Sequence, residues 1–453
     1  MNDIYIVYPK ENFDIAEKLY QLLSKQWTVW WDDKIVGQYA PEINKNIAGT
    51  KCILAIFSSF SDKPTVTEEL KIGEKHTKNI IPLKIDGSDS PYPFGAYSSI
   101  DFQSWDGDIS HQGYQQLLRK IGGIVEPKKS PKRPPNILGN KLPLPSLFMS
   151  VSSHETHVAP AEALLVLKLS ETPAILVSAY DLRRDKEKED LIDGIKKYHQ
   201  SGGIVLIDSG NYEAHRKEDE AWKAEELEEV LRNIPHDLAF CFDNLDPSDD
   251  LDTALNDIID SVRRDSQFTD KPVLPIVHVP QDEHGINMLP ELVRRVSEAL
   301  SPPIIAIPER ELGAGIKVRA DVMSRVRDEL NKLPYYQPVH LLGTGNPRSI
   351  AILAASGADT FDGLEWCRFA IDADTESLHH FQNFDLLKSH KTPSHFNDLP
   401  YGARVLFHNL FYYRELNDVM QSMFSSDRID SFAVGVTDKK LHELITIFPR
   451  IFQ

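Results

Sequence analysis

Three short apolar runs in this sequence end on an aspartate. "GIVLIDSGNY" reaches Asp208, "LAFCFDN" reaches Asp243 and "DTFDGLEW" reaches Asp362. Burying a carboxylate is costly unless something pairs or uses its charge. Strand ends of this kind therefore mark either hydrogen-bonding caps or a working site. A separate pair of acids, Glu68 and Glu69, opens the helical pattern "TVTEELKIGEKH". The helix dipole favours acids there, so position alone does not separate a structural role from a chemical one.

The elements around these acids define the architecture. Residues 1–124 alternate strands ("IYIVY", "WTVWW", "KCILAIFSSF", "NIIPLKI") with helical patterns such as "NFDIAEKLYQLLSKQ" and "GYQQLLRKIGGIV". That alternation predicts an α/β fold with an open parallel sheet covered on both faces. Ligands of such sheets bind beyond the carboxyl ends of the strands. Residues 125–146, "VEPKKSPKRPPNILGNKLPLPS", are rich in Pro and Lys and read as a linker. From 147 to 424, eight apolar runs separated by helical or loop segments predict a (β/α)8 TIM-type barrel. Barrels of this type hold their sites at the carboxyl ends of the strands, so Asp208, Asp243 and Asp362, closing units three, four and eight, are expected to ring the mouth. "ARVLFHNLFYYREL" is an apolar helix expected to pack on the barrel, and residues 425–453 form a tail.

Totals narrow the class. The chain has 453 residues and a net charge of −18. The charge is uneven: −3 over residues 1–124, +4 over 125–145 and −19 beyond. So acidic a region does not serve as a generic nucleic-acid binder. There is no long apolar run and no basic-then-apolar leader, and the cysteines are few and scattered (Cys52, Cys241, Cys367). A cytoplasmic protein without a membrane span is the expectation.

Residues 1–124 resemble the Toll/interleukin-1 receptor (TIR) family, a flavodoxin-like fold. "IYIVYPKEN" resembles its first strand and polar loop, "VWWDDKIVGQ" its second strand and glycine-containing loop, and "ILAIFSSFS" its third strand. "TVTEELKIGEKH" resembles the helix that follows. Enzymatic members cleave NAD at the nicotinamide–ribose bond. The resemblance places their central carboxylate at Glu69, with Glu68 as the alternative. Such a carboxylate stabilises an oxocarbenium-like ribose. Tyr8 and Trp30 or Trp31 would stack on the dinucleotide, with Trp31 preferred. Gly37 and Ser58 would shape the loops. NAD is a substrate here, and no cofactor is implied. The chain departs from the family where a Trp step is common, reading Pro64 and Thr65 instead.

Residues from about Leu147 to Phe424 resemble tRNA-guanine transglycosylases. The resemblance rests on "PAILVSAYDL", "IVLIDSGNYEA", "LAFCFDN", "VHLLGTGNPRSIAILAASGADTFDGLEWCR" and "ARVLFHNLFYYREL". It implies an acid/base role for Asp208, base binding by Asp243 and a nucleophilic Asp362. Departures fall on the base-contacting loops: Asn211 replaces a glycine, and His278–Gln281 and Pro308–Gly315 replace glycine-rich loops. The family's zinc site is represented by His408 alone. No cysteine cluster precedes it, and His379, His380, His390 and His395 lack metal spacing, so no metal is expected.

Together these readings predict an NAD-cleaving TIR effector of bacterial antiphage defence. The barrel would regulate it by sensing a nucleoside, nucleotide or nucleic-acid ligand, and the TIR part would self-associate. The alternative is a base-exchange transglycosylase in which the TIR part is an adaptor for protein contacts.

Overall fold

The computed structural model describes residues 2–24, 26–32, 39–77, 79–107, 111–126, 131–154 and 156–425. The chain divides into two compact units, Met1–Ser130 and Pro131–Gln453.

The first unit contains β1 (Ile4–Val7), α1 (Phe13–Leu23), β2 (Val29–Trp30), α2 (Tyr39–Ala48), β3 (Cys52–Phe57), α3 (Pro64–His76), β4 (Ile80–Lys84), β5 (Ile100–Asp101) and α4 (Gln112–Gly122). Its five strands are parallel in the order β2-β1-β3-β4-β5. This is the flavodoxin-like order expected of two-sided alternation. Side chains alternate across a strand, and the sequence uses both sides. Ile4, Ile6, Cys52, Leu54 and Ile56 pack with Leu19 of α1 and Leu117 of α4. Tyr5, Val7, Ile53, Ala55 and Phe57 pack with Ile47, and with Val66 and Leu70 of α3.

The second unit opens with a hairpin of β6 (Asn136–Ile137) and β7 (Leu142–Pro143). Then follow β8 (Ser146–Val151), α5 (Pro160–Leu169), β9 (Ala174–Ser178), α6 (Ala179–Arg184), α7 (Lys188–Gln200), β10 (Ile204–Asp208), α8 (Asn211–Arg216), α9 (Ala224–Asn233) and β11 (Leu238–Phe240). Next come α10 (Leu251–Asp265), β12 (Val273–Leu274), α11 (Glu283–Leu300), β13 (Ile305–Pro308), α12 (Ile316–Leu330), β14 (Val339–Leu342), α13 (Pro347–Ala355) and β15 (Thr360–Gly363). A short helix α14 (Glu365–Arg368), the hairpin β16 (Phe369–Asp372) and β17 (Ser377–His380), and α15 (Tyr401–Ser425) complete it.

All eight expected barrel strands form, parallel, in the order β12-β11-β10-β9-β8-β15-β14-β13. The barrel closes between β12 and β13 through a bridge of Ile276 with Ala306 and two backbone hydrogen bonds, Val277 to Ala306 and Ala306 to Pro275. Inward residues Phe148, Leu176, Leu206, Phe240 and Ala306 fill the interior. Outward residues such as Ile175, Val177, Ile305 and Ile307 meet the helices.

The stretch read as a linker, 125–146, contributes to both units. Val125 is buried in the first, where its carbonyl accepts from Trp27 Nε1. Ile137, Leu138 and Leu142 of the β6–β7 segment join the barrel interior cluster. Arg133 pairs with Asp359 at 2.6 Å, and the fully buried Asp359 also takes Arg327 at 2.8 Å. The unpatterned sequence hides this, because scattered apolar side chains and Arg133 make the attachment, without a strand or helix period. Residues 426–453, read as a tail, lie outside the described residues. Among the described residues, no helix is long and apolar enough to cross a membrane.

Candidate functional sites

Glu69 lies on α3, on the face that packs against β1. Its Oε2 accepts from Tyr5 Oη at 3.2 Å, and the Tyr5 ring stacks on Trp30 with centroids 4.8 Å apart. The register explains the grouping: Tyr5 pairs with Trp30 across β1 and β2, so both point to the same side of the sheet. Burial pushes Glu69 up to about 7, and the Asp32 carboxylate adds to the shift against the Tyr5 hydrogen bond. Glu68, one residue earlier, is exposed.

The other residues anticipated for this site fall elsewhere. Tyr8 and Trp31 are on the opposite side of the sheet, clustered with Phe13 and Tyr20. Trp31 is 5.7 Å from Tyr8 and 5.4 Å from Tyr20 between ring centroids. The structure therefore gathers Tyr5 and Trp30 at Glu69, and not Tyr8 and Trp31. Strand parity requires Trp30 and Trp31 to diverge, and the β1–β2 register decides which of them joins Glu69. Ser58 is buried just past β3, bonded to Asn12 Oδ1 at 2.7 Å and accepting from Phe60 N. Its hydroxyl shapes the loop rather than meeting Glu69. Gly37 lies outside the described residues.

Tyr5→Phe is expected to raise Glu69 further, because the lost hydrogen bond favours the charged form. Titration of Glu69 by carboxyl-labelled NMR should show its midpoint move upward, with the fold unchanged by circular dichroism.

In the second unit, a cavity of about 500 Å³ opens at the carboxyl ends of the barrel strands. Asp208, Asp243 and Asp362 all line it, as the architecture predicts. Asp362 is held by three donors. Its Oδ1 accepts from Gly343 N at 2.8 Å and faces His340 Nε2 at 3.2 Å, and its Oδ2 accepts from Ser150 Oγ at 2.8 Å. Gly363 follows because the loop after β14 approaches β15 closely here: a Cβ at that position would lie 2.4 Å from the Cα of Gly345.

Asp243 is held as firmly. Its Oδ1 accepts from Ser209 Oγ at 2.8 Å, and its Oδ2 lies 2.7 Å from His278 Nε2. The other ring nitrogen of His278 is 3.0 Å from Glu311. Burial works against a charged His278, but the two carboxylates outweigh it and raise the imidazole to about 9. His278 is therefore a cation clamped between two acids. Asn211, the departure from the glycine, donates from Nδ2 to the Asp243 carbonyl at 2.7 Å. The preceding Gly210 has φ +72°, and a Cβ there would meet Tyr180 N at 2.6 Å, so that glycine is required.

Asp208 differs from the other two. It accepts one hydrogen bond, from Gly210 N at 3.0 Å. Burial, reinforced by Asp243, Glu213 and Asp362, pushes it up to about 8. Glu213, bonded to the Ser152 and Ser178 hydroxyls, and Glu365 also line the cavity. Each is raised to about 7, mainly by burial. Sequence reasoning did not single out His340, Glu213, Glu311 or Glu365. His340 had a signal, because it alternates with Leu341 on a strand otherwise apolar.

The zinc implied by the transglycosylase resemblance does not fit these residues. His408 is fully buried, with Nε2 2.7 Å from the Ile371 carbonyl and Nδ1 accepting from Lys391 N at 2.8 Å. Both nitrogens serve the backbone. The three cysteines are buried and free, and no cluster of metal-binding side chains occurs among the described residues.

The family model of the TIR domain matches residues 4–118. The remainder is similar to archaeal tRNA-guanine(15) transglycosylases. The protein from Pyrococcus furiosus is 24% identical over 304 residues, covering 63% of this chain and 51% of the relative. Its counterpart from Methanopyrus kandleri is 25% identical over 242 residues, covering 51% of this chain and 50% of the relative. The chain thus spans about half the length of these curated relatives. The sheet order and the nearly closed barrel agree with both similarities, and the chain is a TIR domain fused to a tRNA-guanine transglycosylase-like region.

Proposed function

We propose that the TIR domain cleaves NAD at the nicotinamide–ribose bond, with Glu69 as the central carboxylate. The observation that carries this reading is the setting of Glu69: partly buried on α3, bonded to Tyr5, and raised to about 7 beside Asp32. An acid poised near neutral pH in a partly desolvated position is typical of working sites. As the nicotinamide bond stretches, positive charge grows on the ribose, and the Glu69 carboxylate stabilises it. Trp30, stacked on Tyr5, offers the nearby aromatic surface. Tyr5 holds the carboxylate in one orientation.

The barrel cavity, in this reading, binds a nucleoside-class ligand and regulates the TIR domain. Self-association of TIR domains completes the response, in the cytoplasm of a cell defending itself against phage. The competing reading is base exchange at Asp362, and its support is the three-donor cradle around that carboxylate. Clamping of Asp243 by His278 counts against it.

The test is nicotinamide release by the full chain at high protein concentration, with Asp362→Asn compared alongside wild type. Release that survives in Asp362→Asn supports NAD cleavage by the TIR domain. Absence of release, together with Asp362-dependent incorporation of labelled base into RNA, reverses the assignment.

A further inference from the structure

We infer that the second unit carries a further binding site at the amino ends of the barrel strands, and that it takes a small organic cation, an ammonium group on an apolar body of arylalkylamine size. The site lies at the end of the strands away from Asp208, Asp243 and Asp362, and it stands independently of any reading of the barrel mouth.

A second cavity, of about 340 Å³, opens where β8, β9 and β10 begin, beside β7 and α15. Leu142, Leu147, Met149, Ile204 and Leu410, all buried, supply its apolar wall. Buried apolar side chains ordinarily close on one another and leave few voids larger than a water molecule. A space of this volume lies instead at the lower end of the range for small-ligand sites. The uncharged polar groups of the wall are engaged within the fold. Ser146 Oγ donates to the Pro143 carbonyl at 2.6 Å, Tyr413 Oη donates to the Gly345 carbonyl, and Thr172 Oγ1 lies 2.9 Å from Ser170 Oγ.

The charged groups of the lining are Glu171, Arg414 and Asp418. Arg414 is committed elsewhere: its Nη2 donates to the Ser170 carbonyl, and its guanidinium lies 5.5 Å from the Phe411 ring centroid. The carboxylates of Glu171 and Asp418 have no hydrogen-bond or ion-pair partner among the described residues. They come from two elements, Glu171 from the turn after α5 and Asp418 from α15. Two uncommitted acids beside an apolar recess favour a ligand whose charged head is positive and whose body is apolar. An anionic head meets both carboxylates and only a guanidinium already in use.

Glu171 also occupies a backbone position that favours glycine. At the end of α5, Glu171 N donates to the Lys168 carbonyl at 3.1 Å and Thr172 N to the Leu167 carbonyl at 3.0 Å. The residue between these bonds takes the left-handed conformation and is most often glycine. Here it is a glutamate with φ +56°. The chain thus keeps a carboxylate at the cavity against a backbone cost, and residues held in this way cluster at ligand sites. This makes Glu171→Gly informative, because glycine relieves the backbone while it removes the charge.

The test is isothermal titration of the full chain, near pH 7 and at low salt, with three probes that share a phenyl body: 2-phenylethylamine, phenylalanine and 3-phenylpropanoate. The amine should bind at least about fivefold more tightly than the propanoate, with the zwitterion between them, as two part-exposed ion pairs allow. Raising the salt should narrow the gap, since exposed charges are screened. Glu171→Gly should weaken amine binding at least about threefold while melting no lower than wild type, a split that a merely structural role does not give. Asp418→Asn should weaken it similarly. Glu415→Gln, which removes an exposed acid of α15 outside the cavity lining, should leave it unchanged and so separates this site from general attraction to an acidic surface. Propanoate binding as tight as that of the amine, wild-type amine affinity in both Glu171→Gly and Asp418→Asn, or no binding of any probe overturns the inference.

Discussion

Glu69→Gln is expected to lower nicotinamide release at least about a hundredfold, and Glu68→Gln to change it by less than about twofold, within the range for losing one preorganised electrostatic contact. The two substitutions remove the same charge one residue apart on α3. They differ in setting: Glu69 is partly buried against Tyr5, and Glu68 is exposed. A charge in a partly desolvated position acts on a developing cation more strongly than one in water. In the proposed reaction the charged form stabilises the sugar, and burial with Asp32 holds Glu69 up to about 7. Release should therefore rise with pH through about 7 and level off above it. The assay is nicotinamide production over pH 5 to pH 9, on folded protein verified by circular dichroism. Equal losses in both variants, or a Glu69→Gln rate matching wild type, would show that the α3 acid does not stabilise the sugar.

Asp208→Asn is expected to stabilise the barrel at high pH. In the folded state Asp208 sits near 8, against its ordinary 3.8. The native fold thus binds the proton more tightly than the unfolded chain does. The stability that Asp208 contributes is fully present below about pH 4 and declines as pH rises to about 8, by up to about 1.4 kcal/mol per pH unit. Cavity water and local adjustment reduce the full effect, so about 2–4 kcal/mol is expected at pH 9. Asparagine removes that loss. Thermal unfolding of the two proteins should coincide near pH 4 and diverge above it, the variant melting higher. A variant less stable than wild type at pH 9 would mean that an ionised Asp208 is paired in the fold. Stability withheld at one position is a common feature of functional sites.

Much of the architecture is legible in the amino-acid sequence. The two-sided alternation of the first unit and the eight apolar runs of the second dictate both sheets, because parallel strands buried on both faces need such patterning. Parity also aims two of the aspartates. Ile204, Leu206 and Asp208 share one side of β10, and Thr360 and Asp362 share one side of β15. Counting by two from the inward residues places both carboxyls in the barrel mouth. The same count separates Trp30 from Trp31, but it does not say which of them joins Glu69.

That choice belongs to tertiary structure. The register of β1 with β2 sets Trp30 beside Tyr5, and the packing of α3 on that side brings Glu69 to them. Asp243 follows no strand parity, because it lies three residues past the end of β11. Ser209, Asn211 and His278, which come from two other strand ends, fix its position. The protonation of Asp208 likewise depends on acids that stand 5, 35 and 154 residues away in the chain and meet only when the barrel closes. Local patterning specifies which way a side chain points, since that depends on backbone geometry over a few residues. Which charges surround it is set by long-range closure, and that is why the chemistry of both sites emerges only in the folded chain.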